Sequence, residues 1–396
     1  MINRIFNLVN HFGHKKMKPT KGLGKRYPKL TKAFDPHSLD VMKELVAAGY
    51  EAYLVGGCVR DGLLGVRSKD CDVVTDARPD RIHRLFRRSL LIGKRFKIVH
   101  VRFKRHFVEV ITFRGPYHSE QDENVYGTLK EDVLRRDFTI NALYWHYPST
   151  RIIDLVGGLT DLKKGIIRCI GKPDKRFQED PVRMLRALRF CAKLQFKIGH
   201  DELKALKRYR HLLTSVSSQR LSQEITKLLH TGHAEQSMQL VLAWKWQDLL
   251  FPCADMKSFN ELDQELLMSG LRQTDLRYKH KKPLNPGFIF ALIYWPVWCQ
   301  FMKTQKVCRT MLDVRRAFED FYREVLNRVQ LPRRTLDTML DIYALQVFFL
   351  KKNIRNKASM LGMKLFRAGF DFLKLRSDQG LIAQEYVYYW QKQLES

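Results

Sequence analysis

The hydrophobic pattern of this chain changes character near residue 175. Between Asp35 and residue 170, short alternating, β-branched segments at 51–55, 71–75 and 107–113 predict strands, and these are mixed with helices. Beyond residue 175, apolar residues recur at helical spacing to the C-terminus, as in 203–213, 221–229, 288–302 and 335–350. The sequence therefore predicts an α+β head followed by a long helical body.

The chain is also strongly basic. Its 396 residues include 71 Lys+Arg against 41 Asp+Glu, which gives a formal net charge of +30. A hydrophobic fraction of 45% excludes a disordered or fibrous chain, so the charge belongs to globular domains. Such an excess predicts a polyanionic partner, and nucleic acid is favoured over an anionic membrane surface.

Cysteine usage and hydropathy bear on the cellular location. The seven cysteines are widely scattered and include no C-x-x-C pair, which indicates a reducing compartment and argues against a disulfide framework or a zinc site. The longest apolar run, 288–302, contains Pro296 and is shorter than the roughly 20 residues that span a bilayer. We expect a buried helix there, no transmembrane segment and a cytoplasmic location.

Residues 1–34 form a basic leader. They contain nine Lys or Arg and no Asp or Glu, and apolar residues from Ile2 to Phe12 recur at helical spacing. We expect the leader to contact RNA or, peripherally, a membrane surface. A cleaved presequence and a disordered end without a role are the alternatives.

Three acidic residues are candidates for metal binding. Asp70 and Asp72 stand two apart in a predicted strand, so both project from the same face and can chelate a cation or share two. Two solvated carboxylates at a strand start are the alternative. Glu109 lies inside an apolar strand, where an unpaired buried carboxylate would be costly. A metal shared by the three acids would explain Glu109, and a solvent-facing carboxylate is the other interpretation.

Gly56 and Gly57 separate a predicted strand from a helix that we expect to begin at Val59. Paired glycines at such a turn let backbone N–H groups approach a phosphate at the positive end of a helix, and Arg60 adds a cation nearby. Such a turn is by itself more often structural. Its significance comes from preceding the aspartate pair by thirteen to sixteen residues.

Three segments, in this order, closely resemble the nucleotidyltransferase signature of the tRNA CCA-adding enzyme and bacterial poly(A) polymerase family. They are 54–75, with LVGG, VRD, LLG and D-x-D-x-x-T; 135–142, which reads RRDFTINA; and 179–190, which opens with EDPVR. The resemblance implies a nucleotidyltransferase head with a small mixed sheet, followed by an all-helical neck and body. It places the head at 35–170, a neck with the base-recognition motif at 171–235 and an RNA-binding body at 236–396.

The resemblance also implies which residues are functional. Asp70, Asp72 and Glu109 would be the catalytic acids and would hold two magnesium ions. The implied nucleotide contacts are Gly56, Gly57, Arg60 and Asp61 in the first motif, Arg135, Arg136, Asp137 and Asn141 in the second, and Glu179, Asp180, Arg183, Arg186 and Arg189 in the third.

In this family a carboxylate and a guanidinium act as a template for the incoming base. Asp180 would accept from an exocyclic amino group, Arg183 would donate to the neighbouring ring nitrogen, and Glu179 would orient Arg183. Adenine and cytosine offer that pattern, whereas guanine and uracil reverse it and leave buried groups unpaired, at about 1–3 kcal/mol each. The pair should reject GTP and UTP without separating ATP from CTP. The alternative is that Asp180 only caps a helix that starts with Pro181.

Segments outside the three motifs favour the poly(A) polymerase branch. They are 124–128, 285–295 and 334–346. The chain departs from that branch in a loop between Arg114 and Asn124 that looks short, and in ending at Ser396 without the arginine-rich tract that bacterial poly(A) polymerases often carry. Basic clusters at 204–210, 277–282 and 323–334 could bind RNA phosphates, although each alone is more often a solvated face.

We therefore expect a template-independent enzyme that adds AMP from ATP to RNA 3′ ends, and whose product promotes RNA turnover. CCA addition to tRNA is the near alternative. A catalytically silent RNA-binding protein on the same scaffold is the other. The three acids count against the silent protein, since a retired site has no physical reason to keep buried acids.

Overall fold

The computed structural model describes residues 26–68, 71–93, 97–104, 106–115, 125–305, 310–326, 329, 331–351 and 360–395. Asp70, most of the predicted leader and most of the loop at 114–124 lie outside these ranges. The chain divides into two compact units. Among the described residues, the head unit comprises those from 26 to 183 and from 194 to 209, and the helical unit comprises those from 184 to 193 and from 210 onwards. The domain limits expected at residues 34, 170 and 235 stay predictions.

A seven-stranded mixed sheet forms the centre of the head unit, in the order β3-β4-β5-β2-β1-β6-β7. Strands β2 and β5 pair in parallel, and the other neighbours pair antiparallel. The three segments predicted as strands are the adjacent strands β1, β2 and β5. The bounds are β1 (Ala52–Val55), β2 (Asp72–Thr75), β3 (Ser89–Ile92), β4 (Ile98–Phe103), β5 (His106–Thr112), β6 (Tyr144–Tyr147) and β7 (Arg151–Ile153).

Short helices connect these strands and follow them. They are α1 (Pro36–Ala47), α2 (Gly57–Leu63), α3 (Pro79–Leu85), α4 (Leu129–Arg135), α5 (Gly158–Lys164), α6 (Pro173–Glu179), α7 (Val182–Leu194), of which 184–193 belongs to the helical unit, and α8 (His200–Tyr209). Helix α2 begins at Gly57, two residues before the expected start, because Gly56 takes the N-cap position with a φ of 75°. Turns of 3₁₀ helix occupy Pro28–Ala33 and Thr139–Asn141.

The core of the head unit forms where aromatic and β-branched side chains of the central strands meet. Tyr53 and Val55 of β1, Val74 of β2 and Tyr144 of β6 share one buried cluster with Phe113. A second, two-stranded parallel sheet pairs β8 (Ile166–Ile167) with β9 (Lys197–Ile198). Strand β9 falls in the predicted all-helical neck, so that part of the expectation was wrong.

The helical unit has the periodicity that the sequence predicts. Its 3₁₀ turn at Arg210–Ser215 is followed by α9 (Ser218–Leu229), α10 (Ala234–Ala243), α11 (Gln247–Leu250), α12 (Glu261–Lys279), α13 (Pro286–Met302), α14 (Met311–Glu324), α15 (Arg333–Phe349), α16 (Phe366–Asp378) and α17 (Gln384–Glu395).

Helix α13 contains the longest apolar run and is buried, as expected, despite Pro296 in its interior. Trp298 of α13 stacks on Tyr343 of α15 with ring centroids 5.1 Å apart. Among the helices within the described ranges, none is long and apolar enough to cross a membrane. The two units together confirm the predicted α+β class.

Candidate active site

Two of the three predicted catalytic acids lie side by side on the central sheet. The parallel register pairs Val73 of β2 with Val110 of β5, so Asp72 and Glu109 each stand one residue earlier on neighbouring strands. Residues that share a register position project from the same face of a sheet. Asp72, at the start of β2, is exposed. The third acid, Asp70, lies outside the described residues.

Glu109 is not the buried carboxylate that the sequence led us to expect. Its side chain is 37% exposed, and its Oε1 lies 3.3 Å from Nε2 of His100 on the adjacent strand β4. The His100 ring in turn stacks on Phe107 with centroids 4.3 Å apart. Exposure and the histidine therefore explain why an acid is tolerated in this strand, and the argument from costly burial was wrong. Asp72 is likewise not buried.

The geometry of these acids fits a hard metal ion. Carboxylate oxygens are the ligands that magnesium prefers, and Asp72 and Glu109 present them side by side at an accessible place. Within the ranges described above, no group of three His, Cys, Asp or Glu side chains is arranged to hold a metal. The predicted set of three acids includes Asp70, which lies outside those ranges.

The glycine turn packs against the second motif. Gly56 has a left-handed φ of 75°, which favours glycine because it lacks a Cβ. A Cβ at this position would lie 3.6 Å from Nη1 of Arg136 and 3.7 Å from the backbone oxygen of Asn141. The tertiary structure thus brings Gly56 to two of the predicted nucleotide-binding residues, which lie about eighty positions later in the sequence.

A chain of buried hydrogen bonds joins the first motif to the second. Arg60 is 2% exposed; its Nε donates to Asp61 Oδ1 at 2.8 Å, and its Nη1 donates to Asn141 Oδ1 at 2.5 Å. Nδ2 of Asn141 then donates to Asp137 Oδ1 at 3.1 Å. Asp137 also accepts from the backbone N–H of Phe138 at 2.8 Å. Arg60 therefore acts as a buried structural partner whose Nη2 lies 3.6 Å from the position of a Cβ at Gly57, and its predicted contact with a nucleotide stays a prediction.

Positive charge is concentrated around the second motif. Burial, followed by the charge of Arg114, lowers the pKa of Arg135 to about 10. Arg136 and Arg183 act in the same direction, and Asp132 partly offsets them. The pKa of Arg114 is lowered as well, chiefly by burial. A bound polyanion would relieve this repulsion, so the cluster suits the triphosphate of a nucleotide.

Arg136 is held more firmly than its neighbour. Its Nε donates to the Tyr144 hydroxyl at 2.6 Å and to Asp132 at 3.2 Å, and its Nη2 donates to Asp132 at 3.0 Å. Burial alone would lower the pKa of Arg136, but Tyr144 and Asp132 together raise it above the ordinary value. Arg136 is therefore a fixed, permanently charged donor. Asp132 and Tyr144 were not predicted, although Asp132 lies one helical turn before Arg136.

The third motif contains the predicted base-reading pair. Asp180 Oδ1 accepts from the backbone N–H of Val182 at 3.3 Å, so this carboxylate does help to start α7. Nη1 of Arg183 donates to Glu179 Oε2 at 3.2 Å, and the predicted orienting role of Glu179 toward a base stays a prediction. The template role of the pair itself stays a prediction.

Arg176 links the second and third motifs and was missed in the sequence. Its Nη2 donates to the backbone oxygens of Arg135 and Arg136 at 2.8 and 2.7 Å. Its Nη1 donates to Glu179 at 2.7 Å, and its own backbone oxygen accepts from Arg183 at 3.0 Å. Arg176 and Glu179 stand three apart in α6, and this spacing was a usable signal for their contact.

Arg186 and Arg189 belong to the helical unit. Both approach Glu224 of α9, at 4.0 and 3.6 Å, and both lie over the ring of Phe190. Glu224 is only 7% exposed, so these arginines neutralise a buried acid. Their predicted contact with a nucleotide stays a prediction.

Three family models match the sequence. Residues 52–168 match the "Poly A polymerase head domain", 195–256 match the "Probable RNA and SrmB- binding site of polymerase A", and 309–396 match the "Polymerase A arginine-rich C-terminus". The last match corrects our expectation that this region is missing, because residues 309–396 correspond to it even without a basic tract at their end.

Individual proteins extend these matches. Poly(A) polymerase I of Salmonella typhimurium is 36% identical over 369 residues, which cover 87% of this chain and 79% of that protein. The CCA-adding enzyme of Bacillus pumilus is 38% identical over 214 residues, or 53% of each chain. The crystal structure of the Bacillus stearothermophilus CCA-adding enzyme in complex with CTP has a TM-score of 0.59 and 26% identity, and covers 92% of this chain and 82% of that one. The chain therefore belongs to the nucleotidyltransferase family of the poly(A) polymerases and CCA-adding enzymes, and it is an enzyme of the poly(A) polymerase class.

Proposed function

We propose that this enzyme adds AMP from ATP to RNA 3′ ends without a template. The observation that carries the proposal is the Arg176 bridge. Arg176 donates to the backbone of the second motif (135–142, called the arginine motif below) and to Glu179, which in turn accepts from Arg183. The groups that would bind the triphosphate and those that would read the base are therefore parts of one hydrogen-bonded frame.

The arginine motif would bind the triphosphate. Arg136 is oriented by Asp132 and Tyr144, so its remaining guanidinium edge is presented in a fixed direction. Burial, and then the charge of Arg114, destabilise Arg135 as a cation and lower its pKa. Anion binding is favourable at such a place, because the new negative charge offsets the repulsion already present.

The buried network would hold the glycine turn and the second motif in register. Arg60, Asn141 and Asp137 satisfy one another, so the turn at Gly56 is supported from within the head unit. A supported turn keeps its backbone N–H groups aimed at a phosphate without reorganisation when the nucleotide binds. Arg60 and Asn141 would thus act as positioning residues.

The acids would provide the metal site. We propose that Asp70, Asp72 and Glu109 hold two magnesium ions, with His100 orienting the Glu109 carboxylate. Magnesium bound there would supply Lewis-acid activation of the RNA 3′-hydroxyl and neutralise charge on the leaving pyrophosphate. The partial exposure of Glu109 suits this role, since both RNA and nucleotide must reach the metal.

Coverage supports poly(A) addition over CCA addition. The match to the Salmonella poly(A) polymerase extends over 87% of the chain, whereas the match to the Bacillus pumilus CCA-adding enzyme covers 53%. The structural likeness to a CTP-bound CCA-adding enzyme keeps CCA addition as the second candidate. The free cysteines suit a reducing cytoplasm, where an added tail would give exonucleases a single-stranded end and promote RNA turnover.

The test is primer extension with magnesium, a short unstructured RNA and a tRNA that lacks its CCA end, each supplied with all four nucleotides. We expect long tails of A on both. Glu109→Gln should reduce extension at least about 100-fold, since metal ligands contribute several kcal/mol to such reactions. Glu44→Gln, an exposed change on α1, is the matched control and should extend normally.

Each other outcome identifies an alternative. Extension of the tRNA alone, with CTP consumed and arrest after CCA, would establish the CCA-adding activity and overturn our proposal. Absence of extension by the wild-type protein, with RNA binding intact, would establish the silent RNA-binding protein. Equal extension by Glu109→Gln and the control would overturn the role of Glu109 while leaving the activity standing.

A further inference from the structure

The helical unit contains a large cavity that the proposed catalytic chemistry does not use. It has a volume of about 890 Å³ and is lined by α12, α13, α15 and α16, together with the connection at 280–285. This volume lies at the upper end of the range of ligand sites, which is roughly 300–1,000 Å³. Every lining residue belongs to the helical unit, so the cavity is a feature of that unit alone.

Positive side chains dominate the lining. Six are Lys or Arg and two are Asp: Arg277, Lys282, Arg334, Lys364, Arg367 and Lys374 against Asp371 and Asp378. Asp371 is already shared, since Arg277 lies 3.2 Å and Arg367 3.5 Å from its carboxylate oxygens. Lys282, Arg334, Lys364 and Lys374 form no ion pair with any residue that the structure describes. The excess of positive charge in the lining therefore favours the binding of a polyanion.

The backbone adds to the positive field. Helix α13 begins beside the cavity at Pro286, and Asn285 caps it by accepting from the backbone N–H of Gly287 at 3.0 Å. Helix α15 begins at Arg333, next to the lining residue Pro332. Helix N-termini carry partial positive charge and favour anions. Both helices are 17 residues long, so their first turns supplement the side-chain charges.

An aromatic ring gives the cavity a surface for stacking. Phe288 lines it and is only half-buried. Its ring is held edge-on against Phe372, with centroids 5.9 Å apart and planes at 75°, so its orientation is defined. A basic channel with an aromatic face is the combination by which proteins bind single-stranded nucleic acid without sequence preference.

Two basic clusters that are distant in sequence meet here. Arg277 and Lys282 come from the cluster at 277–282, and Arg334 comes from the cluster at 323–334. A basic cluster of this kind, considered alone, is more often a solvated surface than a binding site. Both clusters line the same cavity as Phe288 and the charged residues of α16, which favours a binding surface over two separate solvated faces.

We propose that this cavity binds a single-stranded segment of the RNA substrate, with phosphates on Lys282 and Lys374 and a base against Phe288. The proposal rests on the proposed function only in taking RNA as the substrate. Six basic side chains from α12, α15, α16 and the segments beside them line the cavity, which favours a chain of phosphates over one nucleotide. Binding here would hold RNA through contacts that carry no sequence information.

The test measures binding of a dye-labelled, unstructured RNA to the full chain by fluorescence anisotropy, without ATP. Lys282→Glu with Lys374→Glu should weaken the affinity at least about tenfold. Because a single strand contributes a salt slope of about 0.7 per phosphate contact, the slope should fall by about 1.4. Lys303→Glu with Lys392→Glu changes two exposed lysines outside the cavity by the same charge, and should change the affinity less than about threefold.

A second variant tests stacking. Phe288→Leu keeps an apolar side chain but removes the ring, and should weaken RNA binding about 5-fold or more with an unchanged salt slope, since a stacked base contributes about 1–3 kcal/mol. Tyr388→Leu removes an aromatic ring that is 68% exposed outside the cavity, and should bind normally. Lys282→Ala with Lys374→Ala replaces the glutamate pair if that variant does not fold.

The outcomes separate this inference from the catalytic proposal. The inference would be overturned if the Lys282/Lys374 variant and the Lys303/Lys392 control lost RNA affinity equally. It would also be overturned if the salt slope of the Lys282/Lys374 variant were unchanged. Displacement of RNA from the cavity by ATP would show a free-nucleotide site and would also overturn it. Tight RNA binding at the cavity by a protein that never extends RNA would refute the proposed function and leave this inference standing.

Discussion

Arg60 and Asn141, 81 positions apart in sequence, form a 2.5 Å hydrogen bond in the interior of the head unit. Arg60 is 2% exposed and Asn141 6% exposed. The bond joins the helix that follows the glycine turn to the short 3₁₀ turn inside the second motif, at Thr139–Asn141. Two motifs of the nucleotidyltransferase signature are thus parts of one buried hydrogen-bonded structure.

Removing the amide from this bond should affect both stability and nucleotide binding. Asn141→Ala leaves the buried Arg60 and Asp137 each without one partner, at a cost of about 1–3 kcal/mol. We expect a lower urea midpoint and a KM for ATP raised about tenfold. Asn260→Ala is the control, since Asn260 caps α12 by accepting from the Asp263 N–H at 2.8 Å. It should lower stability by about 1 kcal/mol with an unchanged KM. Equal KM values in both variants would contradict the positioning role.

A methyl group at the glycine turn should separate backbone strain from a local effect. Gly56 and Gly49 have φ values of 75° and 85°, and Gly56 also has a ψ of −126° outside the left-handed helical region, so alanine should cost about 1–3 kcal/mol at these positions. A Cβ at Gly49 would meet nothing within 4 Å, whereas one at Gly56 would touch Arg136. We expect both variants to lose stability in chemical denaturation, but a clear loss of AMP transfer only for Gly56→Ala. Parallel losses of activity would show that strain alone is responsible.

Arg183 should determine which bases are accepted. Arg183→Ala removes the donor that Glu179 orients, and the preference for ATP over GTP should fall about 5-fold to 100-fold, as expected when a buried group loses its partner. Glu179→Gln keeps a neutral acceptor and should reduce the preference less. Single-nucleotide incorporation with each of the four triphosphates measures this. A preference unchanged in Arg183→Ala would refute the template role.

Salt should act on RNA binding and leave base choice nearly constant. Affinity for RNA depends on phosphate contacts that release counterions, so Kd should rise steeply, by about tenfold or more, between 50 and 200 mM salt. The ratio of ATP to GTP incorporation depends on short hydrogen bonds and should change less than about twofold. Anisotropy and incorporation assays over the same salt series compare the two. A base preference that declines in step with RNA affinity would contradict this division.

A buried carboxyl in the head unit should make stability depend on pH. Burial raises the pKa of Glu202, whose Oε1 accepts from the Cys169 N–H at 3.0 Å. The folded state therefore binds more protons than the unfolded state, and stability falls as pH rises from the unfolded pKa through the folded one. Glu202→Gln removes this decline and should gain stability relative to wild type more at pH 8 than at pH 4. Urea midpoints at both pH values, with Glu44→Gln as control, measure the difference.

The sequence predicted the local elements well where one face of an element is clearly apolar. The segments 51–55, 71–75 and 107–113 are β1, β2 and β5, and 288–302 lies within α13. Errors arose where a conclusion depended on surroundings. Glu109 was expected to be buried because its neighbours in sequence are apolar. Successive residues of a strand point to opposite faces of the sheet, however, and the side chain of Glu109 lies beside His100 of β4.

The sequence by itself determined the order of the motifs, the net charge of +30 and the change from a mixed to a helical pattern near residue 175. Only the tertiary structure decided that Arg60 donates a hydrogen bond to Asn141 and that Arg176 joins two motifs. It also decided that Arg277 and Arg334 line one cavity. The spacing of apolar residues shows which face of a helix or strand is buried, because that spacing follows the geometry of the single element. It does not record which distant element will pack there, and that choice places charged groups together.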